Sequence, residues 1–179
     1  MSHYEDENFV KDYASVVAAV LNRLPFQLAV YGPESSSSVA NVGLAESIIG
    51  FERDIAKAIM EINNSANYSR IPLNEAQDIL PIIDIRDFIS SMGLSNTSDA
   101  VMVTSKAYLL YITELVSKNG PWVVQGYLSW KLIQRYYTFI QSDFVKPLHD
   151  FSRQLAGQNS DYVPERWRTC VHHVIDSLG

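Results

Sequence analysis

Histidine and cysteine are the residue types in this chain that could bind a metal ion or act as a nucleophile. The sequence has four histidines and one cysteine: His3, His149, His172, His173 and Cys170. Neighbouring residues of a helix point about 100° apart, so His172 and His173 cannot chelate one ion as a pair one turn apart does. We therefore predict no metal ligand, no cofactor-binding residue and no catalytic residue in this chain.

The apolar setting of Cys170 bears on the role of its thiol. His173 follows three residues later, a spacing at which a helix could bring an imidazole to a nucleophilic thiol. Trp167, Val171 and Val174 stand at helical spacing around the cysteine and predict an apolar stripe. A small buried thiol needs no chemical role, so we interpret Cys170 as a structural residue.

The helix that must position Cys170 begins near Pro164. Proline suits the first turn of a helix, where its missing N–H costs no hydrogen bond, and Val163 before it is pushed toward an extended conformation. A final helix is therefore predicted from this proline to the end of the sequence. Its apolar stripe comprises Trp167, Cys170, Val171, Val174 and Leu178.

Helical periodicity extends over nearly the whole chain. Apolar residues recur every three or four positions, and Pro or Gly residues separate the periodic segments. This pattern predicts an all-α fold, a multi-helix lobe in which residues 1–179 form a single domain. The predicted helices before the final one cover about residues 5–24, 39–63, 73–80, 85–92, 105–118, 121–140 and 142–157.

Helix ends are predicted from individual residues. Asp84 and Ser105 precede periodic segments and should cap them, because a side-chain oxygen there can accept from a free backbone N–H. Gly93 and Gly120 follow periodic segments and should end them, and Gly120 should adopt the left-handed conformation.

Two segments carry expectations about burial and pairing. Apolar residues nearly encircle the helix predicted at about 121–140, so it should form the buried centre of the lobe. At most one short extended segment is expected, near residues 100–104, where Val101 and Val103 are β-branched. Residues 63–72 are predicted as an Asn/Ser-rich loop, so the extended segment has no evident partner.

Composition and charge exclude several classes of partner. The 179-residue chain is 47% hydrophobic and 19% charged, with a net charge of −6. Nucleic acid and anionic membranes both attract clustered basic side chains, which this sequence lacks, so we expect neither as a partner. No apolar stretch approaches the roughly 20 residues that span a bilayer, and the polar, acidic start does not resemble a signal peptide.

Three N-glycosylation sequons point to a different environment. They begin at Asn63, Asn67 and Asn96, and each falls in a segment predicted as a loop. Polar loops rich in Asn and Ser also produce such triplets without any modification. Both an extracellular and a cytoplasmic location are therefore compatible with the residues alone.

The final helix carries the clearest resemblance to a known family. The pattern Arg166-Trp167-x-x-Cys170-x-x-x-Val174, followed by Leu178-Gly179, resembles the segment that closes the N-terminal half of the neprilysin-like zinc endopeptidases. Further stretches resemble family motifs in family order, over about residues 5–179: Glu52 with Ile55-Ala56, Arg70 to Ile85, Thr104 to Leu109, and Tyr127 to Ile133. Ile85 stands where the family usually carries a tryptophan.

The resemblance implies a role beside the chemistry. The family's zinc motif, His-Glu-x-x-His, does not occur in this sequence, so the chain looks like a non-catalytic N-terminal fragment of such an enzyme. By resemblance it would face the catalytic lobe and wall a cavity that admits short peptides. Zinc and the peptide substrates would belong to the full-length enzyme. That enzyme would act outside the cell, as a free protein or as the ectodomain of a membrane-anchored parent. The family's matching cysteine is disulfide-bonded, so Cys170 would pair with a cysteine outside this chain.

Two other interpretations stay open. A stand-alone truncated helical module could bind peptides or proteins, and a cytoplasmic structural domain could resemble the family by accident. Sequence encoding His-Glu-x-x-His downstream of Gly179 would support the fragment, whereas a stop codon there would support the truncated module. We predict that the chain by itself hydrolyses no peptide.

Overall fold

The computed structural model describes residues 6–23, 38–62, 68–94, 99–159 and 165–178. Helices dominate these ranges, and the predicted all-α fold class is confirmed. The α-helices are α1 (Glu7–Arg23), α2 (Ser38–Ile62), α3 (Leu73–Ile79), α4 (Ile85–Ser91), α5 (Lys106–Lys118), α6 (Pro121–Tyr136), α7 (Lys146–Leu155) and α8 (Arg166–Leu178). The strands are β1 (Ser69–Pro72) and β2 (Ala100–Val103), and two 3-10 turns occupy Tyr137–Phe139 and Asp143–Val145.

Local capping rules hold at the starts of two helices. The Asp84 carboxylate accepts a hydrogen bond from the backbone N–H of Asp87 at 3.0 Å. The Ser105 hydroxyl accepts one from the backbone N–H of Tyr108 at 3.2 Å. Both predicted caps are confirmed. Gly93 follows the end of α4 as predicted, and it has a positive φ of 76°.

The end of α5 differs from its prediction. Gly120 does not adopt a positive φ. Asn119 closes the helix instead, because its side-chain amide and its backbone N–H both donate to the carbonyl of Leu115, at 2.8 and 3.1 Å. Pro121 also favours an extended conformation for the residue before it, which removes the need for a left-handed glycine here.

The chain divides into two compact units, and the first comprises Met1–Ile49 and Gln125–Gly179. The core of this unit includes one face of α1, on which Tyr13, Val17, Val20 and Leu21 are buried on successive turns. They cluster with residues of three other helices: Ala45, Ile48 and Ile49 of α2, Trp130 of α6, and Leu148 and Phe151 of α7. Whether residues 1–179 act as one lobe stays a prediction.

Helix α6 is not the buried centre that its composition predicts. Its buried residues are Gly126 and Trp130, whereas Leu128 and Leu132 are 61% and 62% exposed. A Cβ at position 126 would lie 3.0 Å from Cδ1 of Ile48, so the glycine lets α6 approach α2 closely along one side. A helix with apolar residues on all sides can be fully buried. In the first unit, however, the described neighbours of α6 cover only the side that carries Gly126 and Trp130.

The second unit, Gly50–Val124, contains a two-stranded sheet that the residue pattern does not predict. Strands β1 and β2 pair antiparallel, with Ser69 opposite Val103 and Pro72 opposite Ala100. The prediction of a loop at residues 63–72 is therefore wrong for Ser69–Pro72, which form β1. The prediction that the extended segment near residues 100–104 has no partner is also wrong, because β2 pairs with β1. The four residues of β1, Ser-Arg-Ile-Pro, carry one β-branched apolar side chain, and their partner lies some thirty positions away, so local patterning gives little signal.

Polar side chains tie the segments of the second unit together. The Gln77 amide donates to the carbonyl of Ile83 at 2.9 Å and accepts from the backbone N–H of Ile85 at 3.0 Å, which joins α3 to the start of α4. The Thr113 hydroxyl of α5 donates to the carbonyl of Ile79 at 3.0 Å. Helix α4 has no buried residue. The hydrogen bonds of Gln77 to Ile83 and Ile85 therefore stabilise the position of the start of α4 relative to α3.

Candidate functional site: the last helix and the cavity beside it

A cavity of about 820 Å³ opens beside α7 in the first unit. One side of α7 forms part of its wall, because Lys146, His149 and Arg153 recur at spacings of three and four residues. The 3-10 segments before α7 supply further lining residues, and Thr169 brings α8 to the rim. The cavity therefore lies where the last two helices of the unit approach each other.

Hydrogen-bonded and stacked side chains shape this wall. The Tyr137 hydroxyl donates to Oγ of Ser152 at 3.0 Å, and the Tyr137 ring lies 4.9 Å from the His149 ring between centroids. Arg153 forms an ion pair with Asp150 one turn earlier. Cationic, hydroxyl and amide groups together suit a polar ligand, but they do not by themselves define a reaction.

Helix α8 rests on the rest of the first unit through its polar side. The His173 ring lies 5.0 Å from the Phe139 ring, at an interplanar angle of 61°, and 6.5 Å from the Tyr136 ring. Thr169 lines the cavity four residues earlier. At about 100° per residue, these two side chains stand some 40° apart on one face of the helix.

The apolar stripe of α8 lies on the opposite face. Trp167, Val171, Val174 and Leu178 form the single face predicted from their spacing, but the structure leaves them between 47% and 83% exposed. Ile175 beside them is 58% exposed. The expectation that this stripe would bury Cys170 holds only in part, since Cys170 is half-buried with a free thiol.

The described histidines do not provide a zinc site. His149 lines the cavity, His172 is exposed and His173 packs against aromatic rings. Within the parts of the chain that the structure describes, no three His, Cys, Asp or Glu side chains are grouped closely enough to hold a metal ion. These residues therefore do not fit the zinc ion of the resembled family. His3 lies outside the described residues.

The three predicted glycosylation sites, Asn63, Asn67 and Asn96, also lie outside the described residues. Their use stays a prediction. The predicted disulfide of Cys170 likewise stays a prediction, because the chain has one cysteine and any partner would have to come from elsewhere.

The cavity wall is a feature that the residue pattern does not predict. A weak signal was present, since Lys146, His149 and Arg153 follow a helical period along α7. Such polar periodicity is also typical of any solvated helix face, so it does not indicate a cavity unless α8 is known to lie beside it. None of the described helices has the length and hydropathy needed to span a bilayer.

These features describe a helical module with a small sheet and an outward apolar face. The chain belongs to peptidase family M13, whose model matches residues 1–179. It is 25% identical to Neprilysin-11 of Caenorhabditis elegans over 136 aligned residues, and the alignment covers 70% of this chain and 16% of that protein. It is 24% identical over 115 residues to endothelin-converting enzyme 1 of Mus musculus and of Homo sapiens, covering 63% of this chain and 15% of each relative. The matched region thus spans only 15–16% of the length of these relatives. No solved structure matches the chain.

Proposed function

We propose that residues 1–179 are the non-catalytic N-terminal helical region of a longer neprilysin-like zinc metalloendopeptidase. In this proposal the helices wall the substrate cavity and restrict the size of the peptides that enter it. The match to the peptidase family supports the proposal, because it covers residues 1–179 and therefore the whole sequence.

The chemistry of the described residues supports a steric role. Peptide-bond hydrolysis by this class of enzyme needs a zinc ion that polarises the carbonyl and activates a water molecule. The described residues supply no such site, so the proposal assigns zinc binding to another part of the same polypeptide. What this chain contributes is shape, through packed helices that leave large apolar side chains facing outward.

Partners and location follow as parts of the same proposal. The main partner is the catalytic lobe of the enzyme, and peptides meet this chain only through the full protein. The net charge of −6 gives no support to a nucleic-acid or anionic-membrane partner. The protein would act outside the cell, as a glycoprotein or as an ectodomain of a membrane-anchored parent, with the three sequons as supporting features.

The test compares the isolated chain with the longer protein that carries it. We expect the purified chain to hydrolyse no fluorogenic peptide, with or without added zinc. We expect the longer protein to be zinc-dependent and to show a kcat/KM that falls steeply as peptide substrates lengthen, with folded proteins left intact. Cleavage of folded proteins as fast as short peptides would contradict the size restriction. Chelator-sensitive turnover by the isolated chain would contradict the non-catalytic role.

A further inference from the structure

The connection between α5 and α6 consists of two residues, Asn119 and Gly120. In an asparagine-glycine pair a backbone nitrogen can attack the side-chain amide readily, because glycine has no side chain to shield that nitrogen. Of the asparagines in the sequence, Asn119 is the one that precedes a glycine. The connection therefore carries a candidate site of spontaneous covalent modification.

The surroundings of Gly120 leave room for this reaction. Gly120 is exposed, and apart from its two chain neighbours no heavy atom of the described residues lies within 4 Å of a Cβ built on it. Asn119 is half-buried, and its side-chain amide donates to the carbonyl of Leu115 at 2.8 Å. The open space lets water reach the Gly120 nitrogen and the ring that its attack would form.

The folded conformation of Asn119 slows the reaction. Its ψ is 143°, an extended conformation in which Cβ is not eclipsed with the Gly120 nitrogen. A five-membered ring through these atoms requires them to lie nearly in one plane, so ψ must rotate before attack. The hydrogen bond to Leu115 opposes that rotation, and a hydrogen bond of this kind is worth a factor of about five. Attack therefore requires an opening of the cap, which occurs more often at a helix end than in the middle of a helix.

We propose that Asn119 deamidates through Gly120 when this cap opens. The Gly120 backbone nitrogen loses its proton and attacks Cγ of Asn119, the bond between Cγ and Nδ2 breaks, and ammonia leaves a cyclic succinimide. Water then opens the ring at one of its two carbonyl carbons. Attack on Cγ gives aspartate, whereas attack on the main-chain carbonyl carbon gives isoaspartate, in which the chain continues through Cβ and Cγ. Water is the co-reactant, and no atom is oxidised or reduced.

Either product removes the side-chain cap of α5. The amide that donates to Leu115 becomes a carboxylate, which has no proton to donate at neutral pH and lies beside the negative end of the helix dipole. Isoaspartate also adds a methylene group to the main chain, in a two-residue connection that leads directly into Pro121. The modification therefore loosens the end of α5. It depends on neither the zinc chemistry nor the substrates of the proposed enzyme.

Incubation of the purified chain at mildly alkaline pH, followed by tryptic peptide mapping, tests the proposal. We expect the peptide that begins at Asn119 to convert into an aspartate form and an isoaspartate form, and isoaspartyl methyltransferase should label the second. The urea-unfolded chain should react about fivefold or more faster, because the hydrogen bond to Leu115 is lost. Asn74, which is exposed but precedes Glu75, should stay unmodified over the same period.

Two variants separate the chemistry from its structural effect. G120A should keep the melting temperature of the parent, because Gly120 has no positive φ and has space for a methyl group, yet its deamidation should be severalfold slower. N119D carries the aspartate product, and we expect faster hydrogen exchange of the Lys118 amide than in the parent. An unmodified Asn119 in the folded chain while the unfolded chain converts would overturn the proposal, as would equal rates in G120A and the parent. Exchange in N119D at the parent's rate would overturn the loosening of α5.

Discussion

The indole N–H of Trp130 donates a hydrogen bond to the hydroxyl of Tyr13, 2.8 Å away, in the buried core of the first unit. The two residues are 117 positions apart in sequence and belong to α6 and α1. The amide nitrogen of Gln134, one turn after Trp130, lies 2.5 Å from the same hydroxyl. Tyr13 also stacks on Phe151 of α7, with ring centroids 5.7 Å apart, so one tyrosine joins three helices.

Removing the shared hydroxyl should destabilise the chain. Y13F keeps the ring but deprives the buried indole N–H of its acceptor, which should lower the free energy of unfolding by about 1–3 kcal/mol. Y68F is the matched control, because Tyr68 is exposed and its change should stay within about 0.5 kcal/mol. Urea unfolding followed by circular dichroism measures both. Equal midpoints for Y13F and the parent would show that the hydrogen bond adds nothing to stability.

Two helical glycines should respond oppositely to alanine. Apart from the adjoining residues and backbone of its own helix, nothing lies within 4 Å of a Cβ built at Gly50, so G50A should raise the free energy of unfolding by about 0.5–1 kcal/mol through helix propensity. A Cβ at Gly126 meets Ile48 at 3.0 Å, so G126A should lose that gain, and G126L should cost about 1–3 kcal/mol. Thermal unfolding of the three variants checks the order. Stabilisation by G126A equal to that by G50A would contradict the close approach of α6 and α2.

The cap of α4 should matter because the helix is short and buries no residue. D84A removes the acceptor of the Asp87 backbone N–H and should cost about 1 kcal/mol, whereas D84N can still cap and should cost less. Hydrogen exchange of the Asp87 and Phe88 amides reports on this helix directly. We expect faster exchange in D84A and near-parent exchange in D84N. Identical protection in all three proteins would mean that the cap does not hold the helix.

The sequons provide a test of the proposed location. If the protein is secreted or displayed outside the cell, peptide N-glycosidase should lower its apparent mass, and N63Q, N67Q and N96Q should each remove one glycan. A variant at a non-sequon asparagine, N74Q, should leave the pattern unchanged. Protein from a secretory host whose mass does not respond to the glycosidase would count against the glycoprotein prediction.

Cys170 should behave differently in the isolated chain and in the longer protein. The thiol is free and half-buried here, so a maleimide should label it once the isolated chain is purified. In the longer secreted protein we expect it to be blocked until reduction, and C170S to lower stability by about 2–5 kcal/mol through loss of a disulfide. Labelling of Cys170 in the unreduced longer protein would refute the disulfide.

Local sequence determined most of the helix positions. The capping oxygens of Asp84 and Ser105 and the start of α6 at Pro121 act within a few residues of their targets, so residue types and spacing suffice to predict them. The family resemblance in the last helix was visible for the same reason, since it depends on residue types at fixed spacing. The missed strand β1 shows the limit, because its partner is remote and its own residues carry little strand signal.

Burial was decided only by the tertiary structure. The apolar side chains of α6 and α8 predict that these helices have faces to cover, yet Trp130 is fully buried while Leu132 and Leu178 are exposed. The spacing of residues along one helix does not predict which other elements will pack against that helix. Helix formation depends on hydrogen bonds between residues four apart, whereas burial depends on elements that the chain brings together from far away, or that another segment must supply.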